Sequence, residues 1–467
     1  MRRLLIGAVT AVAVLLAGCS TRSDDDTDTA RSTSPAAGAS SKANGDFGTL
    51  KNVCGPGTAE ASNAASNAAS DVQGVTDKKI QVGVMTDMGF TKKSEFVDAA
   101  EVFTSWCNDA GGINGREIAP VTRDTRLMEV RQRTLEACKA DFALVGGGAA
   151  LDSLGVKDRL KCLLPNFPGQ SSQIGAIGSD LQVIAAAPIA GYFQYSGYYT
   201  WLLKEKYPGS ARKVGIIAGD SPVTKVMAAQ FTEAVEGLGG KVDYSDLYPA
   251  SGVADWTPYA QSIKKNGVKG LIFLGDFASL AKLEQALTNI GYAPDWIDAN
   301  SNVYGPAFTQ LAGPALAKQH NYAELFATVP VESAADSPAT QQVIDLFKQY
   351  APGKQVTYPA LRAFSAWLLF ATAARDCAEL TRTCVYDNAR KNTDWTAGGL
   401  QAPFDLTSKE PPTCYLVVEA TTKGWRAADF KPDKGAFRCD APAYKYRGDY
   451  GKPVTLADVG KSLSDLT

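Results

Sequence analysis

Residues 142–148 read FALVGGG and residues 163–169 read LLPNFPG, with the start of a helix between them. Two short apolar runs separated by a helix predict a pair of parallel strands, because parallel strands need a crossover connection. The same alternation recurs from about residue 78 onward. The further strand-like runs are IQVGVMTD (80–87), EIAPVTRDT (117–125), LQVIAAAP (181–188), VGIIAGD (214–220), KVDYSDLYP (241–249), VKGLIFLGD (268–276) and PDWIDAN (294–300).

Between these runs, apolar residues recur at helical spacing. One helical face collects Phe96, Ala99, Ala100, Phe103 and Cys107, and Gly111 and Gly112 follow as a predicted left-handed end. Two more strong helices are predicted around 336–350 and 358–380. We therefore expect an α/β protein with doubly wound parallel sheets, and the two consecutive series of strands predict two lobes of similar build.

The N-terminus, MRRLLIGAVTAVAVLLAGCS, has two arginines followed by an uncharged apolar stretch from Leu4 to Gly18. This stretch is too short for a membrane-spanning helix and has the length of a signal-peptide core. Its end, LLAGC (15–19), resembles a bacterial lipobox, which implies a signal peptide over 1–18 and a lipid anchor on Cys19. An ordinary cleaved signal with a chance cysteine is the alternative.

Residues 19–77 are rich in Ser, Ala, Thr, Asp and Gly and nearly free of large apolar residues. Such a segment cannot bury enough surface to offset its ordering entropy, so we predict a disordered leash. Cys54, within NVCGPG (52–57), is expected to be pinned to the first lobe.

The sequence contains nine cysteines, and setting aside Cys19 leaves eight. An even number predicts disulfides in an oxidising compartment, although eight cysteines allow about 105 pairings. Short spacing favours Cys377 with Cys384, and Cys414 and Cys439 flank a C-terminal strand pair. Cys138 and Cys162 each precede a buried strand whose starts should be neighbours, and Cys54 with Cys107 is the remaining pair. Metal binding is the competing interpretation, but the chain has no CxxC and a single histidine, His320.

Composition excludes several functions. Lys and Arg total 47 against 49 acids, so no basic field indicates nucleic-acid binding.

The glycines 146–148 do not fit GxGxxG, since Leu151 stands where the third glycine would be, and no phosphate-binding GxxxxGK[ST] occurs. We therefore expect no cofactor and no metal. The glycine turn is interpreted as a seat for a ligand anion; close packing of strand against helix is the alternative.

In an open parallel sheet, ligands bind beyond the carboxyl ends of the strands. The residues that follow strands of the first series are Asp87, Phe90, Asp124, Gly147, Gly148, Ala149, Gly169, Gln170 and Ser171. Those of the second series are Asp220, Ser221, Asp276, Phe277, Asn300, Asn302 and Tyr304. These are small, amide, hydroxyl, acidic and aromatic groups without a histidine base, which favours binding over catalysis.

Together with the lipobox and the leash, GVTDKKIQVGVMTDMG (74–89) and NDAGGINGREI (108–118) resemble the branched-chain amino-acid-type periplasmic binding proteins, the solute-binding lipoproteins of ABC importers. CGPG and the paired cysteines resemble an actinobacterial branch of that family. The resemblance implies a type I bilobal fold with three crossovers, near 186–190, 328–332 and 392–402. It implies lobe 1 at 78–187 plus 331–393, lobe 2 at 188–330 plus 394–445, and a tail at 446–467.

The resemblance also implies ligand contacts. Gly147, Gly148 and Ala149, then Gly169, Gln170 and Ser171, correspond to the segments that grip a ligand carboxylate and amine, and Phe90 to an aromatic cover. The chain departs from the family at Ser221-Pro222, which replace a tyrosine, and at Asn300 to Asn302, where amino-acid binders often carry an acid. The ligand is left open between an amino acid, an amide, a short peptide and an organic or aromatic acid.

Three functions are compatible with the sequence. The first is a monomeric solute-binding lipoprotein that hands its small-molecule ligand to an ABC permease at the extracytoplasmic face of the membrane. The second is a ligand-sensing receptor with the same clamp. The third and weakest is an extracellular hydrolase, for which the paired acids Asp276 and Asp298 would have to serve, since GxSxG is absent.

Overall fold

The structure, a computed structural model, describes residues 44–57, 72–186, 188–249 and 251–466. The predicted signal peptide, the lipidated Cys19 and most of the predicted leash lie outside these residues. The described residues belong to one compact unit, Lys42–Thr467. Within those ranges, no helix has the length and apolar character needed to span a membrane.

The first sheet has four strands: β1 (Lys79–Thr86), β2 (Glu117–Asp124), β3 (Ala143–Val145) and β4 (Asn166–Phe167). They are parallel and lie in the order β2-β1-β3-β4. The connecting helices are α1 (Glu95–Asp109), α2 (Val130–Ala140) and α3 (Ser153–Lys161). Gly111 and Gly112, with φ of +113° and +74°, end α1 as the sequence predicts.

The second sheet has seven strands. These are β6 (Val214–Asp220), β7 (Val242–Pro249), β8 (Gly270–Leu274), β9 (Trp296–Asp298), β10 (Asn321–Glu324), β11 (Val417–Thr421) and β12 (Gly424–Ala427). Their order is β12-β11-β10-β9-β8-β6-β7, and the pairings are parallel except for β10 with β11 and β11 with β12, which are antiparallel. A separate antiparallel pair joins β5 (Tyr192–Phe193) to β13 (Tyr444–Lys445).

The remaining helices are α4 (Ser196–Thr200, continued as a π-helix over Trp201–Lys206), α5 (Pro222–Gly237), α6 (Thr257–Lys265), α7 (Phe277–Asn289), α8 (Pro306–Ala312), α9 (Pro338–Tyr350), α10 (Tyr358–Arg375) and α11 (Arg382–Arg390). Short turns of helix occur at Met88–Thr91, Pro208–Ser210, Ser301–Val303, Gly313–Ala317, Val331–Asp336, Ala397–Gly399, Ala457–Val459 and Leu463–Asp465.

One strand prediction is wrong. The described residues 181–186 and 188 do not form a strand; Gln182 makes only an isolated bridge to Asn166 at the edge of the first sheet. Leu181 and Val183 bond to Asn166, but β4 is only two residues long, so the run finds no further partner along the sheet. The segment runs out of the sheet toward the second lobe instead.

Two hydrophobic cores underlie two lobes. The first core comprises buried residues between 47 and 185, between 339 and 400, and Leu456 and Leu466. The second comprises residues between 193 and 326, Tyr358, and residues between 415 and 430. Helix α10 crosses the boundary, since Tyr358 packs in the second core and its residues from Ala360 onward pack in the first.

Four disulfides join the pairs that the sequence analysis favoured: Cys54–Cys107, Cys138–Cys162, Cys377–Cys384 and Cys414–Cys439. The first of them attaches the described segment 44–57 to α1. Phe47 of this segment is fully buried in the first core. That part of the predicted leash is therefore packed against the folded body.

The C-terminal segment, expected as a polar tail, packs on both lobes. Tyr444 and Lys445 pair with β5 of the second lobe. Farther on, the N–H of Val454 donates to the carbonyl of Gly175 at 3.0 Å, and Leu456 and Leu466 are buried in the first core. Its few apolar residues, spaced without a period, gave no sequence signal for this packing.

Three linkers between the lobes lie side by side. Thr328 and Gln401 form an antiparallel bridge. The Gln401 side-chain amide donates to the carbonyl of Ala185 at 2.8 Å and accepts from the Ser365 hydroxyl at 2.8 Å. One buried glutamine thus joins all three linkers, at positions next to those that the family resemblance implied for the crossovers.

A buried acid in the second lobe makes stability dependent on pH. Glu284 of α7 is fully buried, and its carboxyl oxygens have no hydrogen-bond partner among the described residues. Burial raises the pKa of Glu284 well above its ordinary value, although the Asn321 side chain opposes the shift. The folded protein therefore holds a proton that the unfolded chain releases as pH rises, so this group destabilises the fold increasingly above its unfolded pKa.

Glu284→Gln is consequently expected to stabilise the protein at pH 8 relative to the natural chain, and less so at pH 5. Urea unfolding at both pH values measures the two differences. Glu236→Gln, an exposed change on α5, serves as the matched control and is expected to give the same small difference at both. An effect of Glu284→Gln that does not change with pH would contradict the prediction.

Candidate ligand-binding site

The glycine turn after β3 and the segment after β4 are bonded to each other. The carbonyl of Gly147 accepts the N–H groups of Gly169 at 2.9 Å and Gln170 at 3.2 Å. A Cβ on Gly147 would lie 2.4 Å from the carbonyl oxygen of Met85, so no side chain fits there without displacing the turn. The N–H groups of Ala149 and Ser171 donate to no acceptor among the described residues. The turn thus presents free backbone donors, as an anion seat would require.

Asp87 braces this turn. One carboxylate oxygen accepts the Thr125 hydroxyl and the N–H of Leu127 at 3.1 Å, and the other accepts the N–H of Ala150 at 2.7 Å. Because both oxygens are engaged by the protein, Asp87 positions the loops that follow three strands. Phe90, the expected aromatic cover, stands 57% exposed on the turn Met88–Thr91.

A pocket extends beneath the glycine turn into the first lobe. It is lined on its apolar side by Met85, Val130, Leu144, Ala149 and Val156 and on its polar side by Asp152, Arg159 and Gln170. The Asp152 carboxylate accepts the Ser171 hydroxyl and the N–H of Ser172, both at 2.8 Å. Burial raises the pKa of Asp152 to about 6, although these hydrogen bonds oppose the shift. Asp152 therefore secures the segment that carries Gln170 and Ser171.

Most of the polar candidates in the second lobe hold local structure. Ser221 accepts the N–H of Thr224 at 3.2 Å and begins α5, while Asp276 accepts the N–H of Ser279 at 2.9 Å and begins α7. Asp220 forms an ion pair with Lys225. These side chains act as helix caps and surface charges in this structure.

The loop after β9 is similarly self-contained. Asn300 has a φ of +57°, accepts the N–H of Asn302 at 3.0 Å and donates to the Phe273 carbonyl at 3.3 Å. Tyr304 is buried; its hydroxyl donates to Glu332 and accepts the N–H of Val331 at 2.9 Å. Asn302 itself is exposed.

One residue pair joins the two lobes across the cleft, and the sequence analysis had named only one member of it, Phe277. The ammonium of Lys93, after β1, lies 4.0 Å from the ring centroid of Phe277, at the start of α7. Burial lowers the pKa of Lys93, and the nearby Glu95 and Asp276 oppose the shift. Phe277 therefore faces the first lobe, with a cation opposite it.

A second cleft group was not predicted at all. Arg362 lies on α10, is only 8% exposed, and has its guanidinium carbon 5.4 Å from the Tyr358 ring and 6.0 Å from the Phe326 ring. The one available signal was the sequence of the helix, YPALRAFSAWLLFATAAR, in which Arg362 is the single charge before the last residue. An isolated charge in an apolar helix indicates a specific role, because burying it is costly.

Comparison with known proteins agrees with this architecture. The pattern of the family described as periplasmic binding protein matches residues 175–425. This chain belongs to that family. No curated protein sequence matches it. Its α/β lobes and parallel sheets place it among the type I periplasmic binding proteins, which is the fold that the sequence predicted.

Solved structures resemble this periplasmic binding protein over most of its length. One is a fatty acid ABC transporter substrate-binding protein from Thermomonospora curvata, with a TM-score of 0.64 and 18% identity, covering 82% of this chain and 97% of that one. A branched-chain amino acid transporter substrate binding protein from Streptococcus pneumoniae, in complex with isoleucine, has a TM-score of 0.58 and 18% identity, covering 75% and 99%. A solute binding protein from R. palustris, in complex with 4-hydroxybenzoate, has a TM-score of 0.59 and 16% identity, covering 78% and 98%. At these identities the likeness establishes the fold, and the family and its neighbours are binding proteins rather than enzymes.

Proposed function

We propose that this chain is the membrane-anchored, extracytoplasmic solute-binding protein of an ABC importer. It captures a small ligand in the cleft between its lobes and alters no covalent bond. The observation that carries the proposal is that the glycine turn of the first lobe has free backbone N–H donors and faces the second lobe. Three adjacent linkers connect the two lobes and form the hinge. Such a clamp can enclose a ligand and present the closed form to a permease.

Several features support a binder over a catalyst. The acids near the cleft are committed to the protein: Asp87 braces the turn, Asp276 caps a helix, and Asp298 accepts the Tyr199 hydroxyl and the N–H of Asn300. His320 precedes β10, at the opposite end of the sheet from the cleft.

Titration calorimetry on the full chain in detergent tests the proposal. The probes are leucine, glutamine, a dipeptide, benzoate and hexanoate, and X-ray scattering of the same samples measures closure. We expect saturable binding of at least one probe with a stoichiometry of one and a smaller radius of gyration when it is bound. No heat and no change in scattering with any probe would overturn the proposal.

A pair of glycine variants locates the site. Gly147→Ala is expected to weaken the bound probe at least about tenfold, because its Cβ would lie 2.4 Å from the Met85 carbonyl and push the turn away. Gly209→Ala places its Cβ in open space and is expected to leave affinity unchanged. Equal affinities in the two variants would place the ligand elsewhere.

The anchor is tested separately. Cys19→Ser removes the thiol that the lipobox would lipidate, so the protein should leave the membrane fraction while its ligand affinity stays the same. Retention in the membrane fraction would contradict lipid anchoring at this position without affecting the binding proposal.

A further inference from the structure

Arg362 is a buried cation without a protein anion. Among the described residues it forms no ion pair and no hydrogen bond, and only the rings of Tyr358 and Phe326 lie against it. A cation–π contact stabilises a buried guanidinium by less than its removal from water costs. Buried arginines are normally paired with an anion. The described residues supply no such anion to Arg362, so its partner has to be a bound molecule.

The acids of the second core do not fill this role. Asp298 is engaged by the Tyr199 hydroxyl and the N–H of Asn300. Burial raises the pKa of Glu324 well above its ordinary value, and Asp298 adds to the shift, so the environment of Glu324 disfavours the charged form that would pair with Arg362. The guanidinium, with five donors in a planar fork, stays available for a bidentate acceptor.

Arg362 lies between elements of the two lobes. A Cβ on Gly169 would lie 3.0 Å from the Cα of Ala363, so the residue after Arg362 touches the segment that carries Gln170 and Ser171. On the other side, Tyr358 belongs to the second core, and Phe326 precedes the linker at Thr328. Arg362 therefore lies on a helix that packs on the glycine segment of the first lobe, with its guanidinium against rings of the second core.

The surroundings of Arg362 are aromatic. The rings of Tyr195 and Phe326 are 5.0 Å apart, and those of Phe326 and Tyr358 are 6.1 Å apart and stacked. The Tyr358 hydroxyl is buried and has no partner among the described residues. These buried rings give Arg362 apolar surroundings, and no carboxylate among the described residues pairs with it, so an ammonium group placed beside it would add a second unpaired cation.

We infer that the natural ligand is a monocarboxylate with an apolar body and no ammonium group, and that Arg362 holds its carboxylate. The inference rests on the proposed function and specifies its ligand class. The ligand carboxylate pairs with the guanidinium of Arg362 and neutralises its charge. The apolar body of the ligand lies against Tyr195, Phe326 and Tyr358. Removing the charge should therefore abolish binding yet leave the empty protein at least as stable, because an unpaired buried cation is lost.

Calorimetry on the full chain compares benzoate and hexanoate with benzamide, leucine and glutamine. We expect one of the two acids to bind at least about 30-fold more tightly than any neutral or zwitterionic probe, since a hydrogen-bonded charge discriminates by this order. Arg362→Met should weaken that acid at least about 100-fold, and Arg362→Lys about tenfold, because lysine keeps the charge but not the fork. Thermal unfolding of empty Arg362→Met should occur at the same or a higher temperature.

Arg375→Met is the matched control. This arginine ends the same helix, and its guanidinium donates to the carbonyls of Lys51 at 2.6 Å and Asn52 at 3.1 Å, away from the cleft. It should bind the acid with unchanged affinity. Tight binding of leucine or glutamine that Arg362→Met leaves unchanged would overturn the inference and preserve the proposed function, whereas no binding of any probe would overturn both. A lowered unfolding temperature of empty Arg362→Met would assign Arg362 a structural role instead.

Discussion

Replacing Trp367 with alanine is expected to lower the free energy of unfolding by about 3–5 kcal/mol. Trp367 is fully buried in α10, and its ring stacks on Phe103 of α1 with centroids 5.5 Å apart. A Cβ on Gly146 would lie 2.2 Å from its indole nitrogen, so the tryptophan also fills the space behind the glycine turn. Truncation leaves a cavity that the surrounding strands and helices cannot close, because interiors are packed to crystal density.

Guanidinium unfolding followed by circular dichroism measures this loss. Trp367→Phe should lose less than half as much, since the ring is retained and the indole N–H has no partner to lose among the described residues. Met128→Ala, at a position 69% exposed, is the control and should change stability by no more than about 0.5 kcal/mol. A loss of under about 1 kcal/mol for Trp367→Ala would contradict the packing of the first lobe described here.

Removing the Cys54–Cys107 disulfide is expected to cost about 4 kcal/mol. The bond closes a loop with a sequence separation of 53, and the chain-entropy relation for a loop of that length gives this value. The cost arises in the unfolded chain, which gains conformational freedom when the bond is absent. The double variant Cys54→Ala/Cys107→Ala, compared with the natural chain under oxidising conditions, measures it.

Cys377→Ala/Cys384→Ala provides the matched control. This bond has a sequence separation of 7, so the same relation gives about 2 kcal/mol. The segment 44–57 keeps other attachments in the first variant, including the hydrogen bond from the Trp106 indole to the Asn44 carbonyl at 3.1 Å. Equal losses in the two double variants would show that loop length does not set the contribution of these bonds.

Apolar patterning and glycine positions predicted the strands and helix ends, because residues close together in the sequence determine these features. The strands β2, β6, β7 and β8 form within the runs that apolar patterning marked, and β1 begins one residue before its run. Helix ends fall where Gly111 and Gly112 permit positive φ, which few other residues adopt. The strand prediction for 181–188 was wrong because apolar content alone does not reveal that pairing with Asn166 ends after Val183.

The candidate site was predictable in part for the same reason. The glycine turn and the segment carrying Gln170 are adjacent because both follow neighbouring parallel strands, which strand order implies. The use of Ser221 and Asp276 as helix caps was equally readable, since each precedes a helix by one residue, yet a cap and a ligand contact look alike in sequence. Which role a strand-end acid takes depends on the donors around it.

The sequence by itself determined the alternation of strands and helices, the glycine turn and the family, because these follow from residues a few positions apart. Only the tertiary structure decided that both carboxylate oxygens of Asp87 accept hydrogen bonds from neighbouring loops. It also decided that the guanidinium of Arg362 contacts aromatic rings and no acid among the described residues. The reason is distance along the chain. Tyr195 and Arg362 are separated by most of the second lobe, and whether a buried charge has a partner is settled by residues that only folding brings together.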